Sequence, residues 1–208
     1  ELTGPVITTG GAVTHDRGTG QVLDSLPIPH DLAREIIHRL QQRNYYLQLY
    51  REGNRYLCER VTRYSPVYTR LIGMQPQEMG DFLSLPDVTT FKILSVDSSD
   101  RCASMVEYVS EAFGDRVMSK RSFPFFAEVY HKEATKGCAL HRLATRLGVK
   151  QSEVMAVGDS GIDLSMVEYA GLGVAMANAT KEMLEVADTV TASNIEDGVA
   201  QAIEKYIL

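Results

Sequence analysis

The sequence has little of what membrane-spanning and secreted proteins need. Its 208 residues contain no tryptophan and only three cysteines, and no apolar run approaches the roughly 18 residues that span a bilayer. Residues 1–11 carry neither a basic n-region nor a cleavage-like site, so we predict no signal peptide. Neither a membrane anchor nor a membrane partner is expected.

The chain also lacks any concentration of positive charge. Its net charge is −6, and lysines and arginines are scattered rather than grouped in a basic run. Proteins that bind nucleic acids gain most of their affinity by neutralising phosphates. We therefore predict no nucleic-acid partner.

The three cysteines, Cys58, Cys102 and Cys138, are far apart and form no CxxC pair. An odd number at such spacing argues against a disulfide framework and against a thiolate zinc site. We expect buried free thiols and a cytoplasmic location, where thiols stay reduced.

Hydrophobic residues make up 44% of the chain, which is enough for an ordinary globular core. In the last third, helical patterns alternate with short apolar runs at 154–157 and 172–176, a pattern typical of a parallel sheet covered on both faces. The middle of the chain reads as hairpins and alternating strands. We predict the α/β class with an inserted α+β unit, divided at residues 1–22, 23–122 and 123–208.

The run VMAVGDSGID at residues 154–163 is the first candidate for chemistry. Asp159 follows an apolar strand, and ligands of parallel sheets bind at the carboxyl ends of the strands. Asp163 lies four residues further on, and two such carboxylates suit Mg²⁺. The alternative is structural: Asp159 caps a helix and Asp163 is an acid in its first turn.

The second candidate is the start of a helix near residue 136. Thr135 suits the N-cap, which places the Lys136 cation in the first turn, where the helix N-terminus is already positive. An anion bound in front of both would explain this placement. A solvated surface lysine is the alternative.

Both candidates belong to a longer ordered pattern that resembles the C-terminal part of Cof-type phosphatases of the haloacid dehalogenase-like superfamily. The resemblance covers about residues 125–208; residues 5–12 resemble the strand that leads into the family's cap, and residues 23–122 are compatible with that cap. The pattern comprises Lys136-Gly137, Gly158-Asp159-Ser160 with Asp163, Gly173-Val174-Ala175-Met176 with Asn178-Ala179, Ala187-Asp188, and Asn194 with Asp197-Gly198-Val199.

The resemblance implies a Rossmann-like core with an inserted cap that selects the substrate. It implies Mg²⁺-dependent hydrolysis of small phosphorylated metabolites, such as sugar phosphates, through an aspartyl-phosphate intermediate. By position in the motifs, Lys136 is the catalytic, phosphate-binding lysine, Asp159 and Asp163 are the metal ligands, and Asn178 lies near the phosphate.

The sequence departs from this family in several places. The Asp-x-Asp-Gly-Thr strand with the nucleophile, and the second Ser/Thr motif, are expected before Pro5 and are not in this chain. We therefore expect the nucleophile outside this chain, and this chain alone to be inactive. Gly10 and Ile162 stand where many relatives carry asparagine, which affects the expected level of activity. A truncated or degenerate protein that binds phosphate or Mg²⁺ without catalysis is the alternative function.

One internal stretch imitates the missing strand. Asp97 follows the apolar run 91–96, but Asp100 comes three residues later instead of two and no Gly-Thr follows. We interpret Asp97 as a strand-end turn residue and Asp100 as part of a helix cap. Neither the substrate nor the oligomeric state follows from the sequence.

Overall fold

The computed structural model describes residues 4–53 and 55–208, and these fall into two compact units. The first unit, here the core unit, comprises residues 4–24 and Ala134–Leu208, and the second, here the insert unit, is Ser25–Glu133. In these described ranges no helix has the length and apolar character needed to cross a bilayer.

The strands are short, with a length that suits sheets packed under helices. In chain order they are β1 (Pro5–Thr8), β2 (Val13–Asp16), β3 (Val22–Ser25), β4 (Gln48–Arg51), β5 (Arg55–Cys58), β6 (Gln77–Glu78), β7 (Lys92–Val96), β8 (Val117–Phe123), β9 (Phe126–His131), β10 (Met155–Gly158), β11 (Leu172–Ala175) and β12 (Thr189–Val190).

The helices separate these strands along the chain. They are α1 (His30–Gln41), α2 (Ser65–Ile72), α3 (Ser99–Phe113), α4 (Lys136–Leu147), α5 (Leu164–Tyr169), α6 (Lys181–Val186) and α7 (Gly198–Tyr206), with 3-10 turns at Thr9–Gly11, Phe82–Ser84, Gln151–Glu153 and Asn194–Glu196.

The core unit contains the predicted parallel sheet. Strand β11 lies between β10 and β12 and pairs with both in parallel, with Gly158 opposite Ala175. Apolar side chains from this sheet and its helices form one buried cluster, which includes Ala156, Val167 and Met183. A second sheet of this unit, ordered β1-β2-β3, begins with the antiparallel pair β1 and β2.

The insert unit is built on a six-stranded sheet with the order β6-β5-β4-β7-β9-β8. Its pairs are antiparallel except β5 with β6, which is parallel. Helices α1 and α3 contribute Ile36, Leu40, Val109 and Phe113 to the core that they share with the sheet. The hydrophobic cluster that Tyr68 of α2 joins is a separate one.

The limits of the insert unit differ from the predicted boundaries 23 and 122. A division after residue 122 would cut the hairpin of β8 and β9, in which Lys120 pairs with Glu128. Strand β9 also pairs with β7 on its other side, so its backbone hydrogen bonds hold it in this sheet. The compact unit therefore continues to Glu133.

One local prediction was wrong. All three cysteines are free, but only Cys58 and Cys102 are buried, and Cys138 is exposed near the start of α4.

The insert unit allows a direct test of core packing. Ile36 of α1 is fully buried, whereas Leu71 of α2 is 51% exposed. We expect Ile36→Ala to lower the free energy of unfolding by about 2–5 kcal/mol, because the lost methyl groups leave a cavity. Leu71→Ala should change it by about 0.5 kcal/mol or less. Urea unfolding followed by circular dichroism measures both, and equal losses would contradict the packing.

Two carboxylates of the insert unit share one amide group. The side-chain nitrogen of Gln41 donates to Glu59 Oε1 at 2.5 Å and to Asp81 Oδ1 at 2.9 Å. Burial raises the pKa of the Glu59 carboxyl, which is 8% exposed. The hydrogen bond from Gln41 lowers the pKa of Asp81.

These opposite shifts predict opposite effects of neutral substitutions. Because the folded pKa of Glu59 is raised, its ionisation disfavours folding as the pH rises from about 4.5 through the folded value. Glu59→Gln should therefore stabilise the protein at neutral pH, and the gain should vanish towards pH 4. Asp81→Asn should slightly destabilise it above about pH 3.8, because the lowered pKa favours the folded carboxylate there. Unfolding curves between pH 3.5 and 7.5 measure both signs; the reverse signs would refute the assignment.

Candidate active site

The site begins at the first turn of α4. Thr135 Oγ1 accepts a hydrogen bond of 3.1 Å from the Cys138 N–H, which confirms the predicted N-cap. Lys136 is the first residue of the helix. The cation thus stands at the positive end of a helix, where it needs a nearby negative charge.

That negative charge comes from Asp163. Lys136 Nζ donates to Asp163 Oδ1 in an ion pair. The Lys136 side chain keeps 34% exposure, whereas the Asp163 side chain is only 8% exposed. The structure therefore brings two of the predicted site residues into direct contact, and Lys136 is not a freely solvated lysine.

The second oxygen of Asp163 is also occupied. Ser160 Oγ donates to Asp163 Oδ2 at 3.0 Å, and the Asp159 N–H donates to the same oxygen at 3.4 Å. Burial by itself raises the pKa of Asp163, but the hydrogen bond and charge of Lys136, helped by these two donors, outweigh it and hold the pKa below its ordinary value. Asp163 is therefore an ionised carboxylate that ties three groups together.

The helix-cap interpretation of these two acids is wrong for this structure. Asp163 does occupy the N-cap position of α5, but its side chain accepts no hydrogen bond from the helix. Asp159 stands one residue past the end of β10 and is exposed. Its backbone is engaged on both sides, because its oxygen accepts from the Thr180 N–H at 3.0 Å and its N–H donates to Asp163 Oδ2. Within the described residues the Asp159 carboxylate has no hydrogen-bond partner.

The bonded carboxylate of Asp163 and the unbonded carboxylate of Asp159 are unequally suited to bind a metal ion. Over residues 4–53 and 55–208, no three His, Cys, Asp or Glu side chains group as a metal site. A free carboxylate such as that of Asp159 suits Mg²⁺, which keeps several waters and takes one or two protein carboxylates. Asp163 fits less well as a direct ligand, because both its oxygens already accept hydrogen bonds from protein groups.

Asn178 lies in the loop after β11 and is exposed. Its Oδ1 accepts a hydrogen bond of 2.8 Å from the Asn194 N–H, which joins two loops of the core unit. No hydrogen bond in the described part of the chain connects its side chain with Lys136 or with either aspartate. Its assignment to phosphate binding stays a prediction.

Sequence reasoning missed Ser160 and Ser165 as supports of the site. The Gly137 N–H donates to Ser165 Oγ at 3.0 Å, and a Cβ at Gly137 would lie 2.0 Å from the Ser165 carbonyl oxygen. Glycine therefore lets α4 and α5 touch directly behind Lys136. The Lys-Gly pair was a visible signal for this contact, but its partner Ser165 carried none.

Asp97 behaves as the sequence predicted. Its carboxylate accepts 2.7 Å hydrogen bonds from the Ser98 N–H and from Arg101 Nε at the start of α3. Both oxygens thus serve a turn and an ion pair within the insert unit. This arrangement supports its interpretation as a strand-end turn residue.

Fold and site together define an α/β protein whose parallel sheet carries a lysine–carboxylate pair and a free carboxylate at its carboxyl edge. A family model for haloacid dehalogenase-like hydrolases matches residues 1–203. The chain belongs to the haloacid dehalogenase-like hydrolases, as its sequence motifs predicted.

Comparison with individual proteins agrees with this family. The chain is 33% identical over 204 residues to YxeH of Bacillus subtilis, covering 98% of this chain and 76% of YxeH. It is 26% identical to the 5-amino-6-(5-phospho-D-ribitylamino)uracil phosphatase YitU of the same organism, covering 99% and 77%. The crystal structure of TM0651 from Thermotoga maritima superposes with a TM-score of 0.86 at 31% identity, covering 98% and 76%. The predicted α/β fold class is thereby confirmed.

The unequal roles of the two aspartates predict unequal effects on stability. Asp163→Ala should lower the free energy of unfolding by about 1–3 kcal/mol, because it leaves three part-buried donors without their acceptor. Asp159→Ala should change it by about 0.5 kcal/mol or less, because its carboxylate makes no hydrogen bond in the described structure. Thermal and urea unfolding measure both changes. A similar loss of unfolding free energy in the two variants would refute the geometry described for Asp163.

Proposed function

We propose that this chain forms most of a Mg²⁺-dependent phosphatase that hydrolyses monoesters of small phosphorylated metabolites. The observation that carries this proposal is the ion pair of Lys136 and buried Asp163 beside the free carboxylate of Asp159. Membership of a hydrolase family, and relatives named as phosphatases, support the same reaction class.

Lys136 is proposed to bind the phosphate and to stabilise negative charge during phosphoryl transfer. Its ammonium has three donors, of which Asp163 takes one, and a third of the side chain is open to solvent. A charge held in place by Asp163 does not have to reorganise when the anion arrives, which is how fixed charges accelerate such reactions. Asp163 acts through Lys136 and positions it.

Asp159 is proposed as the magnesium ligand that this chain supplies. Its carboxylate is exposed and makes no hydrogen bond in the described part of the chain, so it can bind a hard cation at the carboxyl edge of the sheet. Bound Mg²⁺ would neutralise charge on the transferring group. Asp163 keeps the Asp159 backbone in place through its Oδ2, which makes it a support of the metal site.

The nucleophile is proposed to lie outside this chain, on a strand that completes the parallel sheet. Strand β10 ends the sheet order in the described structure, so its outer edge is open for a further strand. An aspartate there would attack the phosphorus and form an O–P bond as the ester P–O bond breaks, and the second aspartate of that strand would give the leaving alcohol its proton. Water would then hydrolyse the aspartyl-phosphate to inorganic phosphate and restore the carboxylate.

Helix α7 gives a second reason to expect additional structure against the core unit. Exposed apolar side chains recur at every fourth position along this helix and the residues beside it, and large exposed apolar patches often mark interaction sites. They are Ile195 in the 3-10 turn before the helix, Val199 and Ile203 within it, and Ile207 just after its end, with exposures of 88%, 47%, 40% and 61%.

The insert unit is proposed to select the organic part of the substrate, as the cap of this family. It has a cleft of about 320 Å³ whose lining includes Arg51, Glu52, Arg55, Asp87, Thr89 and Phe91. Arg51 and Thr89 are already bonded to Asp87, so the exposed Arg55 is the donor that we propose for a polar ligand such as a sugar phosphate. The relative YitU is named for a phosphorylated ribityl compound, which belongs to this substrate class.

The proposal predicts that activity requires both this chain and the segment that carries the nucleophile. We expect the purified 208-residue chain to show no Mg²⁺-dependent hydrolysis of p-nitrophenyl phosphate or sugar phosphates. A fusion that adds the part of YxeH without a counterpart here should hydrolyse them. Lys136→Ala and Asp159→Ala should each lower the kcat of that fusion by about 100-fold or more.

Lys181→Ala is the matched control, because Lys181 is 85% exposed and, among the residues that the structure describes, its ion pair is with Glu185 on its own helix. Turnover by the chain alone at a rate unaffected by Asp159→Ala would refute both the site and the external nucleophile. An inactive fusion that still binds Mg²⁺ and phosphate through these residues would favour the non-catalytic alternative.

A further inference from the structure

The turn between β1 and β2 has an unusual backbone. Thr9, Gly10 and Gly11 all have positive φ, at 51°, 68° and 108°. Left-handed conformations are costly for a β-branched residue such as Thr9, and strained residues persist where the surrounding structure holds them.

Gly11 of this turn lies against the first peptide of α4. A Cβ at Gly11 would stand 2.3 Å from the Thr135 carbonyl oxygen and 3.0 Å from the Lys136 nitrogen. Side-chain atoms do not fit within such distances of a backbone. Any other residue at position 11 must therefore move either the turn or the start of the helix that carries Lys136.

A side chain from the middle of helix α4 also bonds to the turn between β1 and β2. Arg142 Nη2 donates to the Gly11 carbonyl oxygen at 3.1 Å, while its Nε donates to Asp24 Oδ2 at 2.7 Å. Gly11 is thus in contact with the beginning of the helix and bonded to a side chain from its middle. Arg142 thereby links helix α4 to both the turn between β1 and β2 and strand β3.

We propose that Gly11 and Arg142 are positioning residues for Lys136. They fix where α4 begins relative to the core unit, so that Lys136 Nζ reaches Asp163 and stays there. The inference rests on the proposed function of Lys136 for its consequence in catalysis, but the placement of the lysine can be measured without any turnover. A shift of about 1 Å in such a group can cost roughly 100-fold in rate.

The test is the reactivity of Lys136 in the purified chain. A limiting amount of an N-hydroxysuccinimide ester acetylates lysines in proportion to their access, and peptide mass spectrometry reads each site. Exposed Lys150 and Lys205 of the same unit serve as internal standards. In the unaltered chain we expect Lys136 to react more slowly than both, and Asp163→Asn should raise its relative reactivity several-fold as a positive control.

Gly11→Ala should raise the relative reactivity of Lys136 several-fold. Gly20→Ala is the matched control: Gly20 also has a positive φ of 71°, but a Cβ there would meet nothing within 4 Å. It introduces similar backbone strain without pushing the helix, so Lys136 should react as in the unaltered chain. Melting temperatures of both variants report the purely structural cost.

If the Gly11→Ala variant does not fold, Arg142→Met tests the same contact between the turn and helix α4. It removes both hydrogen bonds of Arg142 without adding an atom at the turn, and it should also raise the reactivity of Lys136. Arg146→Met is its control, because within the described ranges the Arg146 side chain donates to the Leu23 carbonyl oxygen at 3.2 Å and makes no hydrogen bond to the turn.

Unchanged Lys136 reactivity in both Gly11→Ala and Arg142→Met would overturn the proposal, as would equal increases in the two controls. Inorganic phosphate added to the unaltered chain separates this inference from the function. If the variants expose Lys136 but phosphate does not protect it, the positioning role stands and the phosphate-binding role of Lys136 fails.

Discussion

The buried carboxylate of Asp163 is the group on which the arrangement of the site depends. Removing a carboxylate from water is unfavourable unless donors replace the solvent. Asp163 satisfies this requirement with the Lys136 ammonium, the Ser160 hydroxyl and the Asp159 N–H. The same three contacts join the start of α4 to the loop after β10. Burial of one charge thus fixes the places of a cation and of the loop that carries the free acid.

Close packing makes this arrangement possible. The backbone around Lys136 touches its neighbours without intervening side chains, through Gly137 against Ser165 and through Gly11 against Thr135. Long, flexible lysine side chains lose considerable entropy when they are held in one place. When the backbone at the start of α4 is already rigid, holding the Lys136 side chain in place costs no additional backbone entropy. The exposed side of the ammonium stays free for an anion.

Much of the fold and of the candidate site could be predicted from the sequence, for reasons that can be identified. The apolar strands and the Thr135 cap gave local signals, and the motifs around Lys136 and Asp159 indicated the family. The contact of Lys136 with Asp163 spans 27 positions of the chain and needs the fold to be seen. The limit at residue 122 failed because strand β9 pairs with β7, a non-local choice that local patterns do not encode.

A crystal structure of the chain with Mg²⁺ and phosphate bound would test the roles of Asp163 and Lys136 most directly. We expect a phosphate oxygen within hydrogen-bond distance of Lys136 Nζ, the Lys136–Asp163 pair intact, and Mg²⁺ on the Asp159 carboxylate. Phosphate bound away from Lys136, or Mg²⁺ bound by Asp163 with Lys136 displaced into solvent, would contradict these roles.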